Sequence, residues 1–272
     1  MKKYITGFAA GACLALLAVN YFPEALPITQ RDINNENIDA LLWVQTSAEY
    51  RALCYQAYNS ALERVRAAAE SAKSGDKPLA VILDCDETVI DNLAVDASVF
   101  DTDASSGRLL PEWWKAAEAL AMPGAEEFLN AVDALGVSIF YVTNRPESAK
   151  ADTMRNMKAL NFPQVDERHT VLTSSSRQKE ARFSKIEEDY SVIVYLGDSA
   201  HDFPIGIYGR NMTERNAIAD KNRELFGQKY IVFPNPVYGS WLGAFAENYG
   251  RMSPAEQHKA KLDALRIWKV NN

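Results

Sequence analysis

The sequence is poor in the residues that announce a redox, zinc-bound or disulfide-stapled fold. Its 272 residues hold three cysteines, Cys13, Cys54 and Cys85, with no C-x-x-C pair, which excludes a disulfide framework and a cysteine-ligated zinc site. The three histidines, His169, His201 and His258, are too far apart in the chain to suggest a metal cluster. No basic run occurs beyond Lys2-Lys3, and 29 basic against 36 acidic residues leave a net charge of −7. Nucleic acid is therefore not an expected partner, and an anionic ligand has to find local positive charge against the field of the whole chain. Internal repeats, low-complexity tracts and a linker that would split the chain are also missing. What remains is a chain that is 47% hydrophobic, enough to bury a full core in one domain.

Lys2 and Lys3 precede residues 4–22, nineteen residues without a charge. Residues 1–22 read as a secretion signal or an uncleaved membrane anchor. Small residues before Cys13 are like those of a bacterial lipoprotein cleavage site, but most of the apolar run follows that cysteine. Cleavage, lipidation at Cys13 and retention all stay open.

Beyond a polar segment at 28–37, Tyr50, Cys54, Ala57, Ala61, Val65 and Ala68 recur at spacings of three and four. That period predicts one helix over about 38–72. After Pro78 the pattern changes to short continuous apolar runs at 79–83, 137–142, 192–196 and 229–233, each a strand buried on both faces. Helical stretches at 125–135, 147–160 and 178–190 fall between them. The alternation predicts an α/β fold, a doubly wound parallel sheet flanked by helices, over residues 23–272. Residues 91–122 break the alternation with an Asp/Ser-rich loop at 101–107 and the pair Trp113-Trp114, and read as a small, mostly helical insertion or cap over the site.

The polar residues of interest all follow the carboxyl ends of predicted strands, the edge where open α/β sheets bind ligands. Asp84, Asp86 and Thr88 follow the first strand, Thr143, Asn144 and Arg145 the second, and Asp198 and Asp202 the third, with Lys179 opening the helix before it. Four carboxylates on one rim repel unless a hard cation sits between them. Mg²⁺ suits them better than Ca²⁺, because few protein oxygens are on offer and positions remain for water and a phosphate. A calcium loop starting at Asp84 would need Gly and Glu where Val89 and Val95 stand, so that reading fails. Thr143, Asn144, Arg145 and Lys179 supply the donors for a bound phosphate. One aspartate can then attack phosphorus while another, two residues away, moves the proton.

The stretch ILDCDETVID resembles the D-x-D-x-T signature of the haloacid-dehalogenase-like (HAD) phosphatases, and YLGDSAHDF resembles their G-D-x-x-x-D signature. With Thr143 and Lys179 between them, all four signatures stand in order. The match is closest to the class C, bacterial non-specific acid phosphatases of the lipoprotein-e type, through ETV after the first acids, Phe203 after the last, ARF after the lysine, VYGSW, and the run at 259–268. The resemblance covers roughly 38–270. It implies a Mg²⁺-dependent acid phosphatase of small phosphorylated metabolites, above all nucleoside 5′-monophosphates, with one Mg²⁺ per chain. It further implies Asp84 as nucleophile and metal ligand, and Asp86 as general acid/base with its backbone carbonyl on the metal. Asp198 and Asp202 would complete the metal site, Thr143 and Lys179 would hold the phosphate, and Thr88, Asn144 and Arg145 would assist. Lys185 is the fallback for the lysine. Export to the periplasm or cell envelope of a bacterium is expected, with membrane contact through the N-terminal segment and an oligomer allowed.

The chain departs from the family in Ser199-Ala200, where Asn-Leu or Thr-Leu is common, in Pro204, and in Asn92-Leu93-Ala94-Val95, where a tyrosine is common. These departures bear on substrate preference more than on catalysis. The absence of R-H-G excludes a histidine-type acid phosphatase. Tyr238 and Trp241 are candidates to stack on a substrate base, against the plainer reading of core or interface aromatics that also covers Trp113 and Trp114. His201, between Asp198 and Asp202, could touch the substrate, against the plainer reading of a solvated loop histidine, and Cys85 reads as a small apolar core residue. Two other functions compete. One is an envelope ligand-binding protein on a phosphatase scaffold without turnover. The other is a serine esterase of the G-D-S type, disfavoured because its Ser, Asp and His would crowd into residues 198–201.

Overall fold

The computed structural model describes residues 26–173 and 176–269. The expected signal or anchor at 1–22, with Cys13, lies outside them. No helix among the described residues is long and apolar enough to cross a membrane.

The strands are β1 (Leu79–Leu83), β2 (Ile90–Asp91), β3 (Leu120–Ala121), β4 (Ser138–Pro146), β5 (Thr170–Thr173), β6 (Ser191–Gly197) and β7 (Tyr230–Val232). Five of them form one parallel sheet in the order β5-β4-β1-β6-β7. Its central strand is the apolar run LAVIL, predicted with the bounds it has. Side chains alternate across it. Val81 and Leu83 join Ile139, Tyr141, Val194 and Leu196 in one core layer, while Ala80 and Ile82 join Phe140, Val142 and Tyr195 in the other. Each fully buried aliphatic side chain contributes about 1.5–3 kcal/mol of transfer free energy, so a sheet covered on both faces is the stable arrangement for these runs.

The helices are α1 (Gln30–Asn35), α2 (Ile38–Thr46), α3 (Ala48–Ser71), α4 (Leu93–Ala97), α5 (Ser106–Ala116), α6 (Ala125–Ala134), α7 (Lys150–Ala159), α8 (Glu180–Asp189), α9 (Met212–Lys221), α10 (Leu242–Phe245) and α11 (Pro254–Ala264). Helices α3 and α6 cover the first face of the sheet through Cys54, Ala61, Val65, Phe128 and Val132. Helix α8 covers the second through Phe183 and Ile186. The single helix predicted over 38–72 is two helices. Ser47 takes an extended conformation and its hydroxyl accepts the Tyr50 amide, a cap that restarts the helix. The polar segment at 28–37 contains α1, capped by Thr29 and Asp32. At the far end of the chain, His258 Nδ1 and Lys261 Nζ of α11 close on the Glu36 carboxylate beside α1, at 2.5 and 2.6 Å.

Residues 90–121 leave the sheet. The antiparallel pair β2 and β3 brackets α4 and α5, and α5 carries Trp113 and Trp114 toward the carboxyl edge of the sheet.

Candidate active site

Asp84 still belongs to the ladder, its amide donating to the Leu196 carbonyl at 2.9 Å. The chain then folds back sharply. The Cys85 carbonyl accepts the amides of Val89 and Ile90 at 2.9 Å each, and Glu87 sits in the left-handed region at φ 51° with a carboxylate oxygen on the Asn92 amide at 2.7 Å. Cys85 is wholly buried in the core, and burial raises its thiol pKa, as expected of an inert cysteine.

Three carboxylates meet beside this turn. Asp84, Asp198 and Asp202 each offer an oxygen within 4.8 Å of the others. They meet because β1 lies beside β6 in the sheet, and because Gly197 admits the Asp202 side chain: a Cβ there would stand 2.3 Å from the Asp202 Cβ. Lys179, the N-cap of α8 and 1% exposed, places Nζ 2.7 Å from both Asp84 Oδ1 and Asp202 Oδ1. Asn235, after β7, donates to Asp198 at 2.8 Å.

Burial, against the pull of Lys179 and with the push of Asp202 and Asp86, raises the Asp84 pKa to about 7. Burial and the neighbouring Asp202 and Asp84 raise Asp198 well above the carboxylate range. Burial would raise Asp202 too, but Lys179, His201 and the Ser199 amide outweigh it and hold the carboxyl down. Burial would lower Lys179, yet Asp202 and Asp84 raise it. Three carboxylates against one ammonium leave a buried excess of two negative charges, which hard oxygen donors relieve by taking a divalent cation. The residues present fit one.

Asp86 does not join this cluster through its side chain, which corrects the expectation of four carboxylates around one ion. Its carboxylate is taken by Arg145, whose Nε and Nη2 both reach Oδ1 at 2.9 and 2.7 Å. Asn92 donates to the same oxygen at 2.8 Å, and the Thr143 hydroxyl lies 3.3 Å from the other. The Arg145 guanidinium is buried, also donates to Asn92 and Thr153, and lies over the Trp114 ring at 5.8 Å. Trp113 donates its indole N–H to Asn92 at 2.9 Å. With Asp86 turned toward it, each nitrogen of the guanidinium has an acceptor.

Thr143, Asn144 and Arg145 form the end of β4, which flanks β1 on the side opposite β6. Arg182 of α8 donates to the Thr143 carbonyl and to Asn144 Oδ1, both at 2.6 Å. Lys179 is the lysine that stands among these acids, whereas the fallback Lys185 stands exposed on the outer surface of α8. Thr88 makes no side-chain hydrogen bond and is wholly buried; the Tyr58 hydroxyl holds its carbonyl. It shapes the turn rather than facing these donors. Tyr238 and Trp241 are half-buried in the loop after β7, where the Trp241 indole donates to the Tyr238 carbonyl at 3.2 Å and Tyr238 packs on the core.

His201 is not a solvated loop residue. Its Nδ1 lies 2.8 Å from Ser199 Oγ and 3.3 Å from Ser240 Oγ. Its Nε2 lies 3.4 Å from both Asp202 Oδ1 and Asn144 Nδ2. Asn92, Asn235, Ser240 and Arg215 are site residues that the sequence reading missed. Asn235 follows a predicted strand as the aspartates do, so the strand-end rule applied to the fourth strand finds it.

A family model described as HAD superfamily, subfamily IIIB (acid phosphatase), matches residues 24–241. Among solved structures, the class C acid phosphatase from Bacillus anthracis is 32% identical, with a TM-score of 0.83 over 87% of this chain and 99% of that one. The same enzyme with tungstate bound matches to the same extent. A D-x-D turn beside a lysine-bridged acid cluster, on a sheet of this order and with these relatives, places the chain in the HAD superfamily as a class C acid phosphatase.

Proposed function

We propose that this phosphomonoesterase works with one Mg²⁺ per chain through an aspartyl-phosphate on Asp84, and that nucleoside 5′-monophosphates are its substrates. The observation that carries the reading is the Lys179 ammonium, 2.7 Å from both Asp84 and Asp202 beside Asp198. A cation held by Asp84, Asp198 and Asp202 supplies charge stabilisation to the phosphoryl group and keeps Asp84 ionised in mild acid. Asp84 attacks phosphorus, and the bond to the ester oxygen breaks as Asp86 gives that oxygen a proton. Asp86 then takes a proton from water, the resulting hydroxide attacks phosphorus, and Asp84 leaves with its electron pair as inorganic phosphate departs. Arg145 and Asn92 hold Asp86 for both transfers. Thr143, Asn144 and Lys179 bind the phosphoryl oxygens.

Tyr238 and Trp241, in the loop that also carries Ser240, are the surface on which a base would stack. We place the enzyme at the cell envelope of a bacterium, delivered by residues 1–22. The serine-esterase reading is set aside: Ser199 does pair with His201, but its side chain is buried, and one Asp and one His within four residues cannot serve both signatures.

The test is release of inorganic phosphate from p-nitrophenyl phosphate and from a panel of nucleotides and sugar phosphates. Asp84→Asn is expected to lower turnover at least 10⁴-fold. EDTA is expected to abolish it, and Mg²⁺ to restore it better than Ca²⁺. Full turnover in the variant, or binding without phosphate release by the parent, overturns the reading.

A further inference from the structure

The turn after β6 carries a hydrogen-bonded chain that the chemistry above does not use. It begins at Arg215 of α9, 8% exposed, whose Nη2 donates to Ser240 Oγ at 3.1 Å. Burial lowers the pKa of this guanidinium, and no carboxylate among the described residues opposes that. From Ser240 the chain runs to Ser199 Oγ at 3.0 Å and on to His201 Nδ1 at 2.8 Å. Beyond the imidazole, Nε2 stands 3.4 Å from Asp202 Oδ1.

A guanidinium can only donate, so Ser240 accepts at its oxygen and spends its own hydrogen on Ser199. The Ser199 hydroxyl accepts that hydrogen and spends its own on Nδ1, while the Ser199 backbone carbonyl takes the Asp202 amide at 2.9 Å. With Nδ1 accepting, the proton of the neutral imidazole rests on Nε2. Every dipole in the chain then points the same way, from the Arg215 cation to the Asp202 carboxylate, and such chains reinforce one another. The opposite tautomer would let Nε2 accept the Asn144 amide, but it would reverse the link between the two serines and turn a nitrogen lone pair toward that carboxylate.

The consequence falls on Asn144. Its Oδ1 is taken by Arg182 at 2.6 Å, which leaves Nδ2 facing the imidazole, 3.4 Å from Nε2. The Nε2–H and an Asn144 amide hydrogen thus converge beside the Asp202 carboxylate, whose Oδ1 stands 3.4 Å from Nε2 and is already held by Lys179 at 2.7 Å. We propose that His201 is a further phosphate-binding residue: its Nε2–H and the Asn144 amide share one non-bridging phosphoryl oxygen. Arg215, Ser240 and Ser199 are positioning residues that hold the imidazole in the required tautomer. This rests on the phosphatase reading and adds a contact to it.

The test uses protein labelled with ¹⁵N-histidine, in which three imidazoles report and His201→Gln identifies the one of interest. Above the pH at which the rings carry charge, His201 is expected to show a protonated Nε2 and an unprotonated Nδ1. The Nε2 signal is expected to move on addition of inorganic phosphate. His201→Ala should raise KM for p-nitrophenyl phosphate and Ki for inorganic phosphate about tenfold, the worth of one charge-assisted hydrogen bond, with kcat changed less than threefold. His201→Gln, which restores a donor, should recover most of the loss. Ser240→Ala and Arg215→Met should each yield a mixture of tautomers and a smaller rise in KM; Ser240→Ala carries this arm alone if the arginine variant does not fold. A protonated Nδ1 in the parent, or unchanged KM and Ki in His201→Ala, overturns the inference while the parent's phosphate release still stands. Absence of phosphate release in the parent defeats the phosphatase reading instead.

Discussion

The acids of the first turn divide their work by what lies opposite each. Asp84 faces Lys179 and the other two carboxylates, whereas Asp86 faces a buried guanidinium. Removing one partner of a buried ion pair strands the other, at about 3 kcal/mol or more. Arg145→Met is therefore expected to lower the unfolding free energy by about 3 kcal/mol in urea titration and kcat by at least tenfold, because Asp86 loses its hold. Asp84 gives a pH dependence of known sign. Its folded pKa of about 7 lies above the ordinary value of 3.8, so between those limits the folded metal-free chain binds more protons than the unfolded one and stability falls as pH rises. Asp198, raised for the same reason, adds to the fall, while the depressed Asp202 opposes it only near and below pH 4. Thermal unfolding of EDTA-treated protein should show the midpoint dropping from pH 4.5 to 7, and saturating Mg²⁺ should flatten the profile. A midpoint that rises over that range contradicts the charge assignment.

Among the elements, β1 was legible to the residue because a five-residue apolar run with acids behind it has few other readings, and β4 and β6 differ from prediction by a few residues at their ends. Strand β5 was not legible. It has four residues, two of them threonine, and no apolar run to announce it. The break at Ser47 was hidden for the opposite reason: the three-four spacing continues on either side, and only the hydroxyl on the Tyr50 amide marks a new start. The G-D signature at the end of β6 has a steric meaning that periodicity cannot supply. Gly197→Ala would push a methyl group into Asp202, and neither backbone nor a wholly buried carboxylate gives way cheaply. The expected result is a loss of about 2 kcal/mol in thermal unfolding and at least a hundredfold drop in kcat, since Asp202 also anchors Lys179.

Over the whole molecule, what could be read in advance was the list of strand-end groups, because a parallel sheet gathers such groups whatever their separation in the chain. What could not be read was which of them touch. Asp86 turning to Arg145, 59 residues away, and the link from Arg215 through Ser240 to His201 depend on how distant loops settle on one another, and no local spacing encodes that. The same reasoning applies to Glu36, where His258 and Lys261 close the last helix onto the first. Because one carboxylate latches α11 to the residue after α1, each of these helices guards the other. Limited proteolysis of Glu36→Ala should cut near α1 and near α11 together, and a cut at one of the two helices should hasten the next at the other.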